Sequence, residues 1–365
     1  MRSILLTGAL ACGAAYAQAA AAPVSADWKA YTDVEFWQAS DAVPIDQLDG
    51  EWTAYSPRDG RNVALMRSRA ALGVEKNGWR LGVEVRQDAY LTTDRETLDA
   101  YDMYQNKRKP APPASFDLQA DYFSWRALGL RVGYTFAGPR IAGRASSIEL
   151  SGAAYGKQDI RERSVRGTLS YPEADNFGFA AQHLDANSRM TYPFMKGSPG
   201  ATGAGLSLAA TLPLRDAWTL RLQADDIASR LRWKSLPVNA ESLNSDVKSF
   251  DADGYVNYRP LLRGRKGQTD RSFRMLRYTA AALDYQGQDL GASLHLARYA
   301  GETIPTLSVS HRFGWLTLHG NVETRFDSAG IGLEAGNLRL QLQSDSFDWD
   351  QAKARSLQLH YHQAF

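Results

Sequence analysis

The 365-residue chain contains one cysteine, Cys12, and only six histidines. A single thiol cannot form a disulfide within the chain. Everything after Cys12 also lacks a thiol nucleophile and the thiolate ligands of structural zinc sites. The composition therefore excludes cysteine-based chemistry, and it leaves few candidates for a histidine base or metal ligand.

The chain also lacks a strong charge bias, a linker and a long apolar run. Its 42 Lys and Arg against 40 Asp and Glu give a net charge of +2, which does not favour nucleic-acid binding. Beyond the first residues, no apolar run approaches the roughly 20 residues that span a bilayer as a helix. No Pro-, Gly- or Ser-rich linker divides the chain, so a single domain is predicted.

The first residues have the features of a secretory signal peptide. Arg2 supplies a positive start, residues 4–11 form a short apolar core, and Ala15-Tyr16-Ala17 is a small-x-small cleavage site. Lipoprotein processing at Cys12 is the alternative, but Ala9 stands where a leucine is usual. We expect residues 1–17 to be cleaved and residues 18–365 to form the domain.

Apolar and polar residues alternate through most of the remaining chain. Asn77-Gly78 predicts a two-residue hairpin turn, and Gly287, Gly314 and Gly336-Asn337 predict further tight turns. A period of two predicts β-strands that separate unlike environments. It recurs in residues 79–90, 130–136, 218–225, 307–312, 316–326, 338–345 and 357–361.

The alternation fits either a soluble β-sandwich or a transmembrane barrel. Many strands without a second domain, aromatic residues near strand ends and arginines on the polar faces favour the barrel. A closed barrel also leaves no backbone edge unpaired in lipid. We predict an all-β fold, a transmembrane antiparallel up-and-down β-barrel of about 18 strands. Sixteen strands is the alternative, because the tight turns counted from the two chain ends fall out of phase.

The final strand alternates apolar and polar residues and ends on an aromatic residue. It resembles the closing strand of Gram-negative outer-membrane β-barrel proteins, although Gln363 stands where that class usually has an apolar residue. The resemblance implies an outer-membrane location. It also implies contact with outer-membrane lipid and lipopolysaccharide, and recognition by the barrel-assembly machinery. The residues that match the insertion signal are Leu357, Leu359, Tyr361 and Phe365.

Charged residues occupy the face opposite the apolar one, and we predict that they line the lumen. With Asp345, the set has ten arginines against seven carboxylates. One interpretation is that these charges pair and stiffen the wall. The other is a channel-lining surface that selects anions, as rings of arginine do. The predicted set is Arg67, Arg69, Arg80, Glu84, Arg86, Asp88, Asp117, Asp121, Arg131, Arg166, Arg221, Asp225, Arg312, Glu323, Arg325 and Arg339.

Catalytic or metal-binding motifs are weak. Ser310 and His311 are adjacent on a strand, so their side chains point to opposite faces. His360 and His362 share a face, but the sequence offers no third metal ligand. We therefore predict no catalytic residue, no metal and no cofactor, although an outer-membrane lipid-modifying enzyme is the third alternative below.

Three functions remain open. The first is a porin-like channel for small anionic solutes or a secreted polysaccharide, with Tyr90 and Trp315 as inward residues for sugar stacking. The second is a non-conducting barrel that acts as an anchor, receptor or assembly component. The third is a lipid-modifying enzyme. A basic segment, residues 259–274, is expected either near the rim, where it would attract anionic headgroups, or in a solvated loop.

The terminal strand generates the first testable prediction. Deleting Phe365 should lower the amount of heat-modifiable protein recovered from outer membranes, because the insertion signal would lose its last residue. The measurement is a comparison of gel mobility with and without heating, on equal amounts of membrane. Unchanged yield would contradict the proposed role of this residue.

Overall fold

A computed structural model describes residues 27–173, 176–246, 248–250, 256–258 and 261–365. The expected signal peptide, residues 1–17, lies outside the described residues, as does Arg259 of the basic segment. Within the described ranges, no helix is both long enough and apolar enough to cross a membrane.

The described residues form 18 strands, one α-helix and two 3-10 helices. The α-helix, α1, spans Arg95–Gln105, and the 3-10 helices span Ile45–Gln47 and Trp349–Gln351. The strands are β1 (Lys29–Ser40), β2 (Arg61–Lys76), β3 (Trp79–Asp94), β4 (Ala114–Ile141), β5 (Arg144–Glu173), β6 (Asn176–Asn187), β7 (Gly200–Arg215), β8 (Trp218–Asn244), β9 (Lys248–Phe250), β10 (Val256–Tyr258), β11 (Leu262–Phe273), β12 (Tyr278–Gln286), β13 (Leu290–Tyr299), β14 (Glu302–Phe313), β15 (Leu316–Glu323), β16 (Ser328–Ala335), β17 (Leu338–Ser344) and β18 (Ala354–Ala364).

Fourteen of these strands close into one antiparallel barrel. Around the wall the order is β1, β2, β3, β4, β5, β7, β8 and then β12 to β18 in sequence, and β18 pairs back with β1. β6 and β11 stand outside this circle. β6 pairs with the far ends of β5 and β8, and β11 pairs with the far end of β8. β9 and β10 form a separate hairpin.

The predicted count of 18 strands, with 16 as its alternative, is therefore wrong for the barrel. β4, β5 and β8 are 28, 30 and 27 residues long, so each continues beyond the wall. There β4 stays paired with β5, β6 pairs with β5 and β8, and β11 pairs with β8. Buried and exposed residues keep alternating along these extensions, and the sequence pattern does not mark where a strand leaves the barrel. β6 also reverses the direction of the chain without crossing the wall. This extra reversal explains why the tight turns counted from the two chain ends fall out of phase.

The two ends of the barrel differ in their connections. At one end, which we call the turn end, adjacent strands are joined by two or three residues, at 77–78, 142–143, 216–217, 287–289, 314–315 and 336–337. Asn77 and Gly78 have φ values of 50° and 81°, as a tight hairpin turn requires. The opposite end, the loop end, has a two-residue turn at 300–301, and it also carries α1 and the long connections. Because short turns are periplasmic in outer-membrane barrels, the loop end faces the exterior.

A small apolar cluster packs the loops at the loop end. Asp94 caps α1, since its Oδ1 accepts a hydrogen bond of 2.7 Å from the Thr97 N–H. The helix buries Leu98 against Val43 and Trp52 of the β1–β2 connection. The β1–β2 connection is therefore held at the rim by packing against α1.

The outer surface of the wall is a belt of exposed apolar side chains. On β13, for example, Leu290, Leu294 and Leu296 are 63%, 56% and 49% exposed. Aromatic residues mark the turn-end border, where the Trp79 and Tyr134 rings lie 4.9 Å apart. Apolar surface this extensive belongs against lipid rather than water. The protein is thus an outer-membrane β-barrel of a Gram-negative bacterium.

The terminal strand faces lipid as its alternation predicts. Tyr361 and Phe365 are 39% and 71% exposed, and the Phe365 N–H donates to the Trp28 carbonyl at 2.9 Å. One other apolar assignment is wrong. Phe326 was predicted on the lipid face of a strand over residues 316–326, but β15 ends at Glu323 and the following turn buries Phe326 inside the barrel.

Two adjacent residues of β13 test which face meets lipid. Leu294→Arg should lower the free energy of unfolding by about 2–4 kcal/mol, because it places a charge in the middle of the belt. Ser293→Arg is the matched control, and it should cost less because Ser293 faces the lumen opposite Asp284. Urea titrations of refolded protein in lipid vesicles measure both. A larger loss for Ser293→Arg would invert the assignment of inside and outside.

Candidate functional site

A layer of buried charges crosses the lumen at mid-height, between opposite parts of the wall. We call it the lumen layer. Every side chain in it is at most 7% exposed. Its members come from β2, β3 and β8, and they are Arg67, Arg69, Glu84, Arg86, Asp88, Asp225 and Asp226.

Three ion pairs carry the layer across the lumen. Arg67 Nη2 lies 2.8 Å from Asp225 Oδ2, and Arg69 Nη1 lies 3.3 Å from the same oxygen. Arg86 Nη2 lies 2.6 Å from Asp226 Oδ2. β8 stands five positions from β2 in the circle of 14 strands, so these contacts join walls that are not neighbours. Buried charges of this kind are tolerated only when they are paired closely.

A bulge in β8 supplies two consecutive carboxylates to the layer. Asp226 has a φ of 56°, and the pairing of β7 with β8 shifts register between Leu206 and Leu208. In a regular strand, neighbouring residues face opposite sides, but the bulge turns both Asp225 and Asp226 inward. Strict alternation therefore missed Asp226. The sequence feature that could have indicated the inward direction of Asp226 is the pair of adjacent aspartates at the end of an alternating run. A β-bulge can turn both side chains of such a pair to the same face.

Tyrosines complete the layer on both sides. Tyr299 Oη of β13 lies 3.1 Å from Asp88 Oδ1 and 3.0 Å from the Met66 carbonyl oxygen of β2. The Tyr155 hydroxyl of β5 donates to Glu84. These contacts tie β3 to β5 and β13 as well as to β8, so the layer is braced from several directions.

An apolar cluster seals the lumen between the layer and the loop end. The Trp37 ring stands edge-on to Tyr299 and Phe326, with centroid distances of 6.2 and 5.7 Å. Beyond it, Arg325 forms ion pairs with Asp41 at 2.7 Å and Glu302 at 2.8 Å. Solvent therefore meets two successive barriers from the loop end before the lumen layer.

Beside the layer, along the wall of β12 to β18, a cavity of about 220 Å³ extends from the apolar cluster at Trp37 and Ile304 to the turn end. We call it the vestibule. Arg67, Tyr278 and Tyr299 form its inner end, and Gln286 and exposed Arg312 lie at its outer end. Its charged lining is balanced between four carboxylates and four arginines, which are Glu35, Asp284, Glu323, Glu334, Arg67, Arg221, Arg312 and Arg339.

The remaining lumen candidates fall into different places. Arg131 joins the edge of the layer, with Nη1 3.4 Å from Glu84 Oε2, and Arg80 pairs with Asp33 of β1. The other members lie nearer the loop end. Exposed Asp117 and the half-exposed pair of Asp121 and Arg166 lie on the extensions of β4 and β5, and Glu323 and Arg325 lie at the β15–β16 turn.

The aromatic candidates divide between inside and outside. Tyr90 packs inside the barrel, with its ring 5.7 Å from that of Phe123. Trp315 does not face the lumen, because it occupies the short turn between β14 and β15 and is 80% exposed. Asp345, counted among the inward carboxylates, is exposed in the β17–β18 loop.

The expected excess of arginine is compensated by carboxylates that the sequence analysis did not select. Arg221 Nη2, for example, lies 2.6 Å from Asp284 Oδ1, and Arg67 pairs with Glu35 as well as with Asp225. Two of these partners, Asp33 and Glu35, alternate with apolar residues in β1 and were recognisable by that pattern. Among the described residues, the unselected carboxylates that pair with the predicted arginines are Asp33, Glu35, Asp41, Glu75, Asp226, Asp284 and Glu302.

Histidine chemistry has little support in the site. His360 pairs with Asp33, and the His360 and His362 rings lie 5.5 Å apart. Across the described part of the chain, no group of three or more His, Cys, Asp or Glu side chains is arranged to hold a metal ion.

Comparison with known proteins gives only distant similarity. No family model and no curated protein matches the chain. Among solved structures, a deletion mutant of the TodX monoaromatic hydrocarbon channel has a TM-score of 0.45 at 10% identity, over 94% of this chain and 90% of TodX. The Ralstonia pickettii toluene transporter TbuX gives 0.33 at 9%, over 93% and 90%. The Escherichia coli outer-membrane protease OmpT gives 0.24 at 9%, over 93% and 97%. Scores this low carry no information about function.

The pair of Arg86 and Asp226 gives a direct measure of the layer's energetics. Arg86→Leu should lower the free energy of unfolding by about 3–5 kcal/mol, because it leaves buried carboxylates uncompensated. Adding Asp226→Leu should recover part of that loss. Urea titrations in vesicles measure each variant, with the exposed pair of Arg166 and Asp121 as the control. Replacing Arg166 should cost about 1 kcal/mol or less, and equal losses at the two sites would contradict a buried layer.

Proposed function

We propose that the protein is an outer-membrane conduit for a small polar solute, held closed by the lumen layer. The observation that carries the proposal is a vestibule that reaches the turn end and stops at Arg67, whose guanidinium is held by Asp225 of a wall that is not its neighbour. Side chains can change rotamer without breaking the backbone ladder of the wall. A closed path of this kind can therefore open while the barrel stays intact.

The lining of the vestibule favours a solute of low net charge. Its four carboxylates and four arginines balance, and at least some are close pairs, such as Arg221 with Asp284. Balanced pairs create a weaker field than the unpaired arginine ring that would select anions. A small anionic solute, drawn in by exposed Arg312 at the mouth, is therefore our second choice. A secreted polysaccharide would need a much wider opening than a cavity of about 220 Å³.

The gating step follows from the contacts of β8. Asp225 and Asp226 hold three arginines of β2 and β3, and both lie at the bulge where the strand is irregular. A small shift of this bulge would release the contacts to Arg67, Arg69 and Arg86 together. We therefore assign the gate to the β8 bulge.

Planar-bilayer recording tests the proposal. The wild type should show rare, small current steps, whereas Arg86→Ser combined with Asp226→Ser should raise their frequency or amplitude at least severalfold by opening a gap in the layer. The matched control replaces Arg166 and Asp121 by Ser, which removes the same residue types from an exposed pair on the strand extensions. The control should behave as the wild type.

The same recordings distinguish the alternative function. A fully paired layer also suits a non-conducting barrel that serves as a surface anchor or receptor. If the Arg86 and Asp226 double variant folds, as shown by heat-modifiable mobility, and still passes no current, the conduit is wrong. The anchor would then be the better account of the layer.

A further inference from the structure

A row of basic side chains faces outward along the loop-end border of the apolar belt. Arg230, Arg232 and Lys234 are exposed on alternate residues of β8, at a spacing of roughly 7 Å along the strand. We call this set, together with three neighbouring arginines, the basic row. Its members are Arg230, Arg232, Lys234, Arg274, Arg277 and Arg298.

Strand pairing brings the other three arginines next to β8. Leu231 pairs with Phe273, so the following residue, Arg274, lies beside Arg230. The Arg277 Nη2 donates a 3.1 Å hydrogen bond to the Ile227 carbonyl. Arg298 of β13 lies opposite Thr279 of β12, two residues along from Arg277. The row therefore crosses neighbouring strands as one continuous surface.

The row borders the lipid-facing belt directly. Leu206 and Ile227, just below Arg230 in the wall, are 45% and 37% exposed, and Leu296, just below Arg298, is 49% exposed. A cation at this height can reach the headgroup level while its aliphatic stem stays against apolar surface. The basic row is therefore placed for the polar part of a lipid whose chains lie on the belt.

The charges of the row are not neutralised by the protein. Among the described residues, Arg230, Arg232, Lys234 and Arg274 take part in no ion pair, in contrast to the paired arginines of the lumen layer. The small residues Gly200, Thr202 and Ala204 of β7 lie opposite the three β8 cations. A carboxylate does stand at the upper end of the row, where Asp270 Oδ1 accepts from the Ser235 N–H.

The opposite border of the belt is built differently. At the turn end, outward aromatic residues such as Trp79, Trp218 and Phe313 mark the interface. Exposed Arg215 there pairs with Asp216 at 3.4 Å. The asymmetry indicates that the lipid at the loop end, which faces the exterior, carries negative charge that these cations offset.

We propose that the basic row is a binding site for the phosphate groups of lipid A, the anionic glycolipid anchor of lipopolysaccharide. Guanidinium groups bind phosphate oxygens through paired N–H donors. Six cations on one surface suit a headgroup with two phosphates, and the acyl chains would lie along Leu206, Ile227 and Leu296. The site lies outside the barrel, so it is independent of whether the lumen conducts.

The test compares two triple variants of the full protein in detergent micelles. Arg230→Gln, Arg232→Gln and Lys234→Gln remove three charges beside the belt. Arg263→Gln, Arg265→Gln and Lys266→Gln remove three exposed charges of β11. β11 pairs with β8 so that Arg263, Arg265 and Lys266 lie opposite Ser242, Ala240 and Asn239, which are roughly 20 Å or more along β8 from Arg232, on the side away from the belt. The probe is bis-phosphorylated lipid A, titrated and counted by native mass spectrometry, with dephosphorylated lipid A as the second probe.

The first triple variant should weaken binding of bis-phosphorylated lipid A on the order of 100-fold, since each cation near a lipid surface contributes about a fivefold factor. The β11 triple should change it less than about threefold, and the wild type should bind dephosphorylated lipid A weakly. Equal losses in both triples would indicate a general attraction of anions and overturn the site. So would unchanged binding in the first triple, provided that its heat-modifiable mobility shows a folded barrel.

Discussion

In lipid, no water can satisfy the peptide groups at the edge of a sheet, so every strand of this wall needs a neighbour on both sides. The pairing of β1 with β18 meets that requirement, from Lys29 opposite Ala364 to Ala39 opposite Ala354. The two ends of the described chain thereby become adjacent strands. The barrel, its inside and its outside all depend on this one seam.

Closure forces the polar face of every strand into a confined space. Charges placed there are desolvated, and each then needs a partner of opposite sign. The lumen layer is the outcome of that requirement, because Arg67, Arg69 and Arg86 find their carboxylates across the lumen on β8. The interactions that neutralise the interior are thus the same ones that close it, which is why we assign the gate to them.

The outer surface responds to a different constraint. A single apolar belt serves both leaflets, but its borders differ, with aromatic side chains at the turn end and unpaired cations at the loop end. Inside the barrel, carboxylates of the protein pair with the arginines. On the outer surface, the cations of the basic row have no such carboxylate partners among the described residues. The arginines of the lumen layer are thus neutralised within the protein, whereas those of the basic row are free to bind an anionic ligand.

The alternation of residues determined much of this protein without any tertiary information. The Asn77-Gly78 dipeptide predicted its tight turn. The alternation predicted many of the strands, the lipid face of β3, β4 and β18, and the inward direction of Arg67, Arg86 and Asp225. Each of these follows from the period of two, which is a local property of an extended backbone. Tertiary structure alone decided the rest. The number of strands in the barrel depends on where β5 and β8 leave the wall, and the alternation continues past that point. The inward turn of Asp226 depends on a bulge, and the pairing of each arginine depends on which strands face each other across the lumen, which no local pattern records.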